Sequence, residues 1–179
     1  MTRRRSLPGD LPAEQQIARL LRVDHAGEYG AKRIYAGQLA VLGRSRSGTE
    51  IARMAEQEER HFAAFDELLR RRRVRPTALS PLWHVAGYAL GAATALLGER
   101  AAMTCTAAIE EVIDAHYQRQ IDSLGEDETE LKEALVEFRG NELEHRDTAR
   151  AHGASAGFSP LSTAIKAGSK LAIWLSTRI

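Results

Sequence analysis

Two short stretches carry an acid and an imidazole three residues apart: Glu58 and His61 in "EQEERHF", and Glu142 and His145 in "GNELEHRD". Residues at i and i+3 share a helix face, so each pair presents a carboxylate beside an imidazole. A single Glu-x-x-His in a chain rich in Glu and Arg is most often part of a solvated face. Two of them direct attention to the acids elsewhere. Glu28, in "LRVDHAGEYGAKRIYAG", shares a stripe with Leu21, Tyr35, Leu39 and Leu42, so it points where a core should be. An unpaired buried carboxylate is expensive and is relieved by an ion pair, a raised pKa or a metal. "IEEVIDAHY" adds Glu110 and Glu111. Glu110 lies on the stripe of Met103, Thr106, Ile113, Tyr117, Ile121 and Leu124, whereas Glu111 falls among smaller and more polar residues, so Glu110 is the inward one.

The spacings repeat. Glu28 precedes Glu58 by 30 positions and Glu110 precedes Glu142 by 32; a tyrosine follows each single Glu by seven residues, Tyr35 and Tyr117. The pattern reads as two helix pairs built on one plan. One Glu from each of two helices and a Glu-x-x-His from each of the other two form the ligand set of di-iron and di-manganese carboxylate bundles. Carboxylates balance the charge of two ions, neutral imidazoles complete the shells, and O2 takes the vacant positions.

The elements that must position these groups are helices. Ala, Leu, Glu and Arg are plentiful and aromatics are only 6% of the 179 residues, a helix-favouring composition. The periodicity predicts helices over about Leu11–Leu42, about Thr49–Arg73, a third through "ERAAMTCTAAIEEVIDAHYQRQIDSL" to Gly125, and about Glu128–Ala151, with no convincing strand. Four long helices with such connections form an all-α four-helix bundle. Residues 1–12, basic and broken by Pro8, Gly9 and Pro12, read as a flexible lead-in without a secretory signal, and 13–179 as one domain. No long organellar presequence is visible, which favours a bacterial protein or an already processed form. The stretch from Leu79 to Gly98 has no Asp, Glu, Lys or Arg. Its length would pass for a spanning helix, but Pro81, His84, Gly87, Gly91 and Gly98 favour an interfacial helix that dips into a bilayer and admits an apolar tail. After a Gly/Ser/Pro linker, residues 160–179 form a short amphipathic helix with Leu161, Ile165, Ala172, Leu175 and Ile179 on the stripe assigned to lipid. The net charge of +1 gives no case for nucleic acid, and the single Cys105 excludes an internal disulfide or a thiolate metal cluster.

"RVDHAGEYGAKRIYAGQLAVLG", "EQEERHF", "CTAAIEEVIDAHY" and "NELEHRD", in this order and spacing, resemble the demethoxyubiquinone hydroxylase family of ubiquinone biosynthesis, from about Leu20 to the C-terminus. The resemblance implies a ferritin-like bundle whose two iron ions per chain (Fe2+/Fe3+) are held by Glu28, Glu58, His61, Glu110, Glu142 and His145. It implies a monooxygenase that places one atom of O2 on the ring of a polyprenylated demethoxyubiquinol and releases the other as water. The partners implied are the polyprenyl quinol, O2, membrane lipid, an external electron donor and a lipid-binding accessory protein. The place implied is the cytoplasmic side of the cell membrane, held peripherally. No strand–glycine–helix fingerprint for a nicotinamide or flavin is present, so the two electrons come from outside, through the quinone or a separate reductase.

Other residues carry two readings each. His25 and His116 stand near the ligand stretches and either orient ligands or are satisfied core histidines; His84 and His152 are not needed as ligands. Tyr35 and Tyr117 either bond a ligand carboxylate or guide electrons, or are packed tyrosines with a bonded hydroxyl. Cys105 reads as a small core residue. Arg70–Arg73 with Arg75 are either a helix end favoured by the macrodipole or a lipid-headgroup contact, and the resemblance favours the second. The rival functions are a soluble ferritin-like ferroxidase or peroxidase, which leaves the apolar stretch without a purpose, and a helical membrane scaffold without catalysis.

Overall fold

The computed structural model describes residues 11–154 and 159–179. The expected lead-in therefore lies, but for its last two residues, outside the described residues, as does most of the Gly/Ser/Pro linker. Among the described residues there are six α-helices and no strand: α1 (Ala13–Leu42), α2 (Gly48–Arg71), α3 (Ser80–Leu96), α4 (Glu99–Ser123), α5 (Thr129–Ala151) and α6 (Pro160–Ser176), with one 3-10 turn at Glu126–Glu128 before α5. The expected boundaries of the four bundle helices hold to within two residues, the extent by which helix ends fray, and the last helix ends at Ser176 rather than at 179.

Helices α1, α2, α4 and α5 form the bundle, because each carries a buried stripe spaced alternately by three and four residues. On α2 the stripe is Ile51, Met54, Glu58, His61, Phe65, Leu68; on α5 it is Leu131, Leu135, Phe138, Glu142, His145, Ala149. On α1 it is Leu21, Asp24, Glu28, Ala31, Tyr35, Gln38 and Leu42. The polar residues thus occupy positions that apolar residues hold one turn above and below. Helices α1 and α2 pair as one hairpin and α4 and α5 as another, and α1–α4 and α2–α5 contacts join them. Leu21, Phe65, Leu69, Tyr117, Leu135 and Phe138 close the core at one end of the ligand layer. Tyr35, Ile51, Met54, Met103 and Ala149 close it at the other.

The connection from α2 to α4 carries α3, which packs along the outside of α1. That approach needs glycine. A Cβ on Gly91 would stand 2.0 Å from the Ile34 carbonyl oxygen, and one on Gly37 would stand 2.2 Å from that of Tyr88. The turn into α4 is made at Gly98 with φ 105°, a left-handed conformation that glycine adopts without steric cost. At 17 residues α3 is about 26 Å long, and no described helix is long and apolar enough to cross a membrane.

Helix α6 lies against α4 and touches α1, tied by Lys166 to Glu111 and by the Trp83 indole, which donates to Ser176 Oγ at 3.0 Å. The first half of the stripe assigned to lipid turns inward, while its last member, Ile179, is exposed. Ile165 is buried against Ile34, Cys105, Ala108 and Ile109, with Leu161 packed beside it. Leu171, Trp174 and the terminal Ile179 are the exposed apolar residues of this segment. A short helix with apolar residues all round gives no unique inward face from periodicity alone.

The arginine run is largely spent on protein acids. Arg70 pairs with Asp66 at 2.7 Å, Arg71 with Glu130, and Arg72 with Glu128 at 2.7 Å. The first pair lies within α2, and the other two fasten the end of α2 to the turn and first residues of α5, which favours the helix-end reading.

Candidate metal centre

Six side chains from four helices meet in the middle of the bundle. Glu28, Glu58, Glu110 and Glu142 are each 1% exposed, His61 2% and His145 0%. They form two overlapping groups, Glu28, Glu58, His61 and Glu142, and Glu58, Glu110, Glu142 and His145, in each of which one donor atom per residue lies within 4.8 Å of the others. Glu58 and Glu142 belong to both groups, the position of carboxylates shared by two ions. Glu111 is on the outer side of α4, bonded to Arg150 at 2.7 Å and to Lys166, as the stripe argument required.

The donor atoms are unsatisfied by the protein. Glu28 Oε2, both oxygens of Glu58 and of Glu142, Glu110 Oε2, and Nδ1 of both histidines are buried without a hydrogen bond of acceptable geometry. His61 Nδ1 is 3.1 Å from Glu142 and 3.5 Å from Glu28; His145 Nδ1 is 3.1 Å from Glu58. Buried polar atoms ordinarily find partners, so eight such atoms facing one another are what a pair of cations would satisfy. The carboxylate-rich set with two imidazoles suits iron or manganese better than thiolate-seeking metals.

The electrostatics agree. Burial, followed by the neighbouring carboxylates, pushes Glu58 well above the usual carboxylate range. Burial likewise raises Glu110 and Glu142. Burial alone would lower His61, but the carboxylates of Glu142 and Glu28 outweigh it and push it up to about 10. Without cations the cluster therefore holds protons that a metal must displace.

Tyrosines hold two of the acids across the bundle. Tyr35 of α1 donates to Glu110 of α4 at 2.8 Å, and Tyr117 of α4 donates to Glu28 of α1. Burial and the adjacent carboxylate raise both phenols well above their usual value, so they remain donors. Both readings of these tyrosines hold together: they are packed, and the group that bonds each hydroxyl is a cluster carboxylate. His116 does not touch the six. Its Nε2 is 3.2 Å from Asp24, which also accepts from Gln120 at 2.8 Å. His25 packs at a tilt against Phe62, its Nε2 3.5 Å from Asp66. His84 Nδ1 bonds the Tyr29 hydroxyl at 2.6 Å, and His152 bonds the Thr148 carbonyl at the end of its own helix. Cys105 is buried, its thiol pushed up to about 12 by desolvation, an unreactive core group.

Sequence reasoning missed Asp24, Gln38 and Gln120, which fall on the inward stripes of α1 and α4. A polar residue at a core position was the available signal. It also missed an apolar cavity of about 400 Å³ between α1, α3, α4 and α6. Its walls include Gly27, Gly30 and Ile34 of α1, Gly87 of α3, Ile109 and Ile113 of α4, and Gly168 and Ala172 of α6. Its inner side is formed by the two helices that carry Glu28 and Glu110.

The profile of one protein family, ubiquinone biosynthesis protein COQ7, matches residues 15–176. The chain belongs to this family. It is 60% identical over 176 residues to a Rhodospirillum rubrum protein named 3-demethoxyubiquinol 3-hydroxylase, an alignment covering 97% of this chain and 83% of the relative. It is 51% identical over 169 residues to the human protein named NADPH-dependent 3-demethoxyubiquinone 3-hydroxylase, mitochondrial, covering 91% and 78%. The Saccharomyces cerevisiae 5-demethoxyubiquinone hydroxylase, mitochondrial, is 38% identical over 182 residues, covering 91% and 78%.

Proposed function

We propose that this chain hydroxylates the ring of a polyprenylated demethoxyubiquinol with O2, using two iron ions held by Glu28, Glu58, His61, Glu110, Glu142 and His145. The observation that carries the reading is the pair of overlapping Glu/His groups beside an apolar cavity. When bound, the iron pair supplies the electrons-to-dioxygen chemistry that an organic side chain cannot. The overall change takes one ring C–H, O2, two electrons and two protons to ring C–OH and water.

The chain's own residues do the rest. Tyr35 and Tyr117 fix the orientation of Glu110 and Glu28. The cavity takes the quinol with its isoprenoid tail between α1, α3 and α6 and keeps water from the site. The two electrons come from outside the chain, and the names of the human and Dictyostelium discoideum relatives point to NADPH as their source.

The proposed place is the cytoplasmic side of a bacterial membrane, and exposed apolar residues support the peripheral attachment. Leu82, Val85, Leu96 and Leu97 of the α3 segment and Leu171, Trp174 and Ile179 of the α6 segment are all about half exposed or more. These two helices flank the cavity, so a tail can pass from lipid into it. A soluble ferroxidase or peroxidase has no use for this cavity or these faces.

The test is turnover of the quinol under ¹⁸O2 by iron-loaded protein, with metal content measured in parallel. The expected product is heavier by one labelled oxygen. Glu110→Ala loses metal and activity, whereas Glu111→Ala loosens α6 but keeps metal. The reverse order, or label drawn only from water, refutes the reading.

A further inference from the structure

One polar array around the six side chains is still without a role, and it starts one residue before each Glu-x-x-His. Gln57 precedes Glu58 and Asn141 precedes Glu142, and both are half-buried. Each reaches across to the histidine of the other helix. His145 Nε2 of α5 is 2.9 Å from Gln57 Oε1 of α2, and His61 Nε2 of α2 is 3.2 Å from Asn141 Nδ2 of α5. The two amides meet, Gln57 Nε2 lying 3.4 Å from Asn141 Oδ1. Two amide side chains thus link one histidine to the other on the side away from the carboxylates. In both rings it is Nδ1 that faces the acids.

Donor and acceptor chemistry sets the polarity of this array. Arg53 has only donors to offer, and its Nη1 is 3.0 Å from Gln57 Oε1 while also bonding Glu144 at 2.9 Å. Gln57 is therefore held with its oxygen towards His145. That is what a metal at His145 Nδ1 requires, since the ring proton then sits on Nε2 and needs an acceptor. Asn141 has the opposite orientation. Its nitrogen lies nearest His61 Nε2, and an amide can present either its nitrogen or its oxygen to a ring.

We infer that Gln57 and Asn141 are reciprocal positioning residues for the two histidines. The inference rests on the metal-centre reading above. Each amide fixes the ring of the partner helix, and the two amides brace each other through the 3.4 Å contact. The motif in this chain is accordingly amide-Glu-x-x-His, used twice, with each amide serving the partner helix.

The test uses the full chain, stripped of metal and titrated anaerobically with Fe2+ in equilibrium dialysis, with circular dichroism of the metal-free form as the fold control. Wild type takes up two ions. Asn141→Asp, which always presents an acceptor, binds as tightly or more so. Asn141→Leu and Gln57→Leu weaken uptake by about 10- to 100-fold, the effect of losing a group that orients a metal-bound histidine. If Asn141→Leu fails the fold control, Asn141→Ala against Asn141→Asp makes the same comparison. Leu variants that bind like wild type overturn this inference alone, as does equal loss in Asn141→Asp and Asn141→Leu, which marks a packing role. A wild type that takes up no metal overturns the metal-centre reading and this inference with it.

Discussion

Replacing Gly30 by leucine sets stability and substrate binding in opposite directions. Gly30 is in the middle of α1, on the wall of the apolar cavity, and a Cβ there meets nothing within 4 Å. Glycine inside a helix costs about 0.8 kcal/mol relative to a good helix former such as leucine. Nothing in the packing offsets that cost, so Gly30→Leu should raise Tm by about 2 °C. The new side chain occupies space that the isoprenoid tail would fill. Four displaced carbons at about 0.8 kcal/mol each come to about 3 kcal/mol, on the order of a 100-fold rise in KM for a long-tailed quinol.

The assay compares a long-tailed quinol with a tail-less one, alongside iron content and thermal unfolding. Gly30→Leu should keep both irons and turn over the tail-less substrate as wild type does, while losing the long-tailed one. A more stable Gly30→Leu with an unchanged KM for the long-tailed quinol would show that the tail lies elsewhere. Loss of KM for both substrates would place the ring, not the tail, beside Gly30.

Gly91→Ala should have no such compensation: its Cβ stands 2.0 Å from a backbone oxygen of α1, and the forced separation of α3 should cost about 1–3 kcal/mol, read as a lower Tm; an unchanged Tm would deny the close crossing. For pH, Glu58, Glu110 and Glu142 are raised in the metal-free fold from an ordinary value of 4.5, and His61 from 6.5 to about 10. The fold then binds more protons than the unfolded chain, so these groups' stabilisation is full in acid. It is lost as pH rises above 4.5 through the raised values, and for His61 as pH rises through about 10. Metal loading removes that slope. The Tm gap between loaded and metal-free protein should therefore widen from about pH 5 to 9, with proton release on loading seen by an indicator dye; a constant gap refutes the assignment. On the membrane side, Val85→Glu and Leu171→Glu stay folded, because both sites are exposed, and should abolish flotation with anionic liposomes. Variants that still float place the contact elsewhere.

The six inward groups were legible because a stripe with alternating three- and four-residue spacing fixes which way each side chain of a long helix points. Glu110 and Glu111, adjacent in sequence, are separated by that rule alone. The rule fixes rotation about a helix's own axis and says nothing of which neighbour lies opposite. Gln57 and Asn141 fall one step off the stripe, and only the distance between α2 and α5 shows that each meets the other's histidine. The cavity was illegible for the same reason, being a property of four helices at once. Helix α6 was misread because Leu171 and Trp174 on one side match Leu161 and Ile165 on the other in hydropathy, so only its docking on α4 distinguishes them.

The crossed tyrosines bear on the order in which the molecule assembles. Tyr35 serves an acid of the second hairpin, and Tyr117 serves an acid of the first. An isolated α1–α2 hairpin would leave Glu28 without its donor, and an isolated α4–α5 hairpin would leave Glu110 without its own. Each hairpin is made of contacts near in sequence and forms early; the docking of one on the other closes long loops and comes late. The ability to hold metal is thus acquired in a single late step. During refolding, helical signal should be recovered well before iron uptake, and the lag between them measures how long the two halves exist apart.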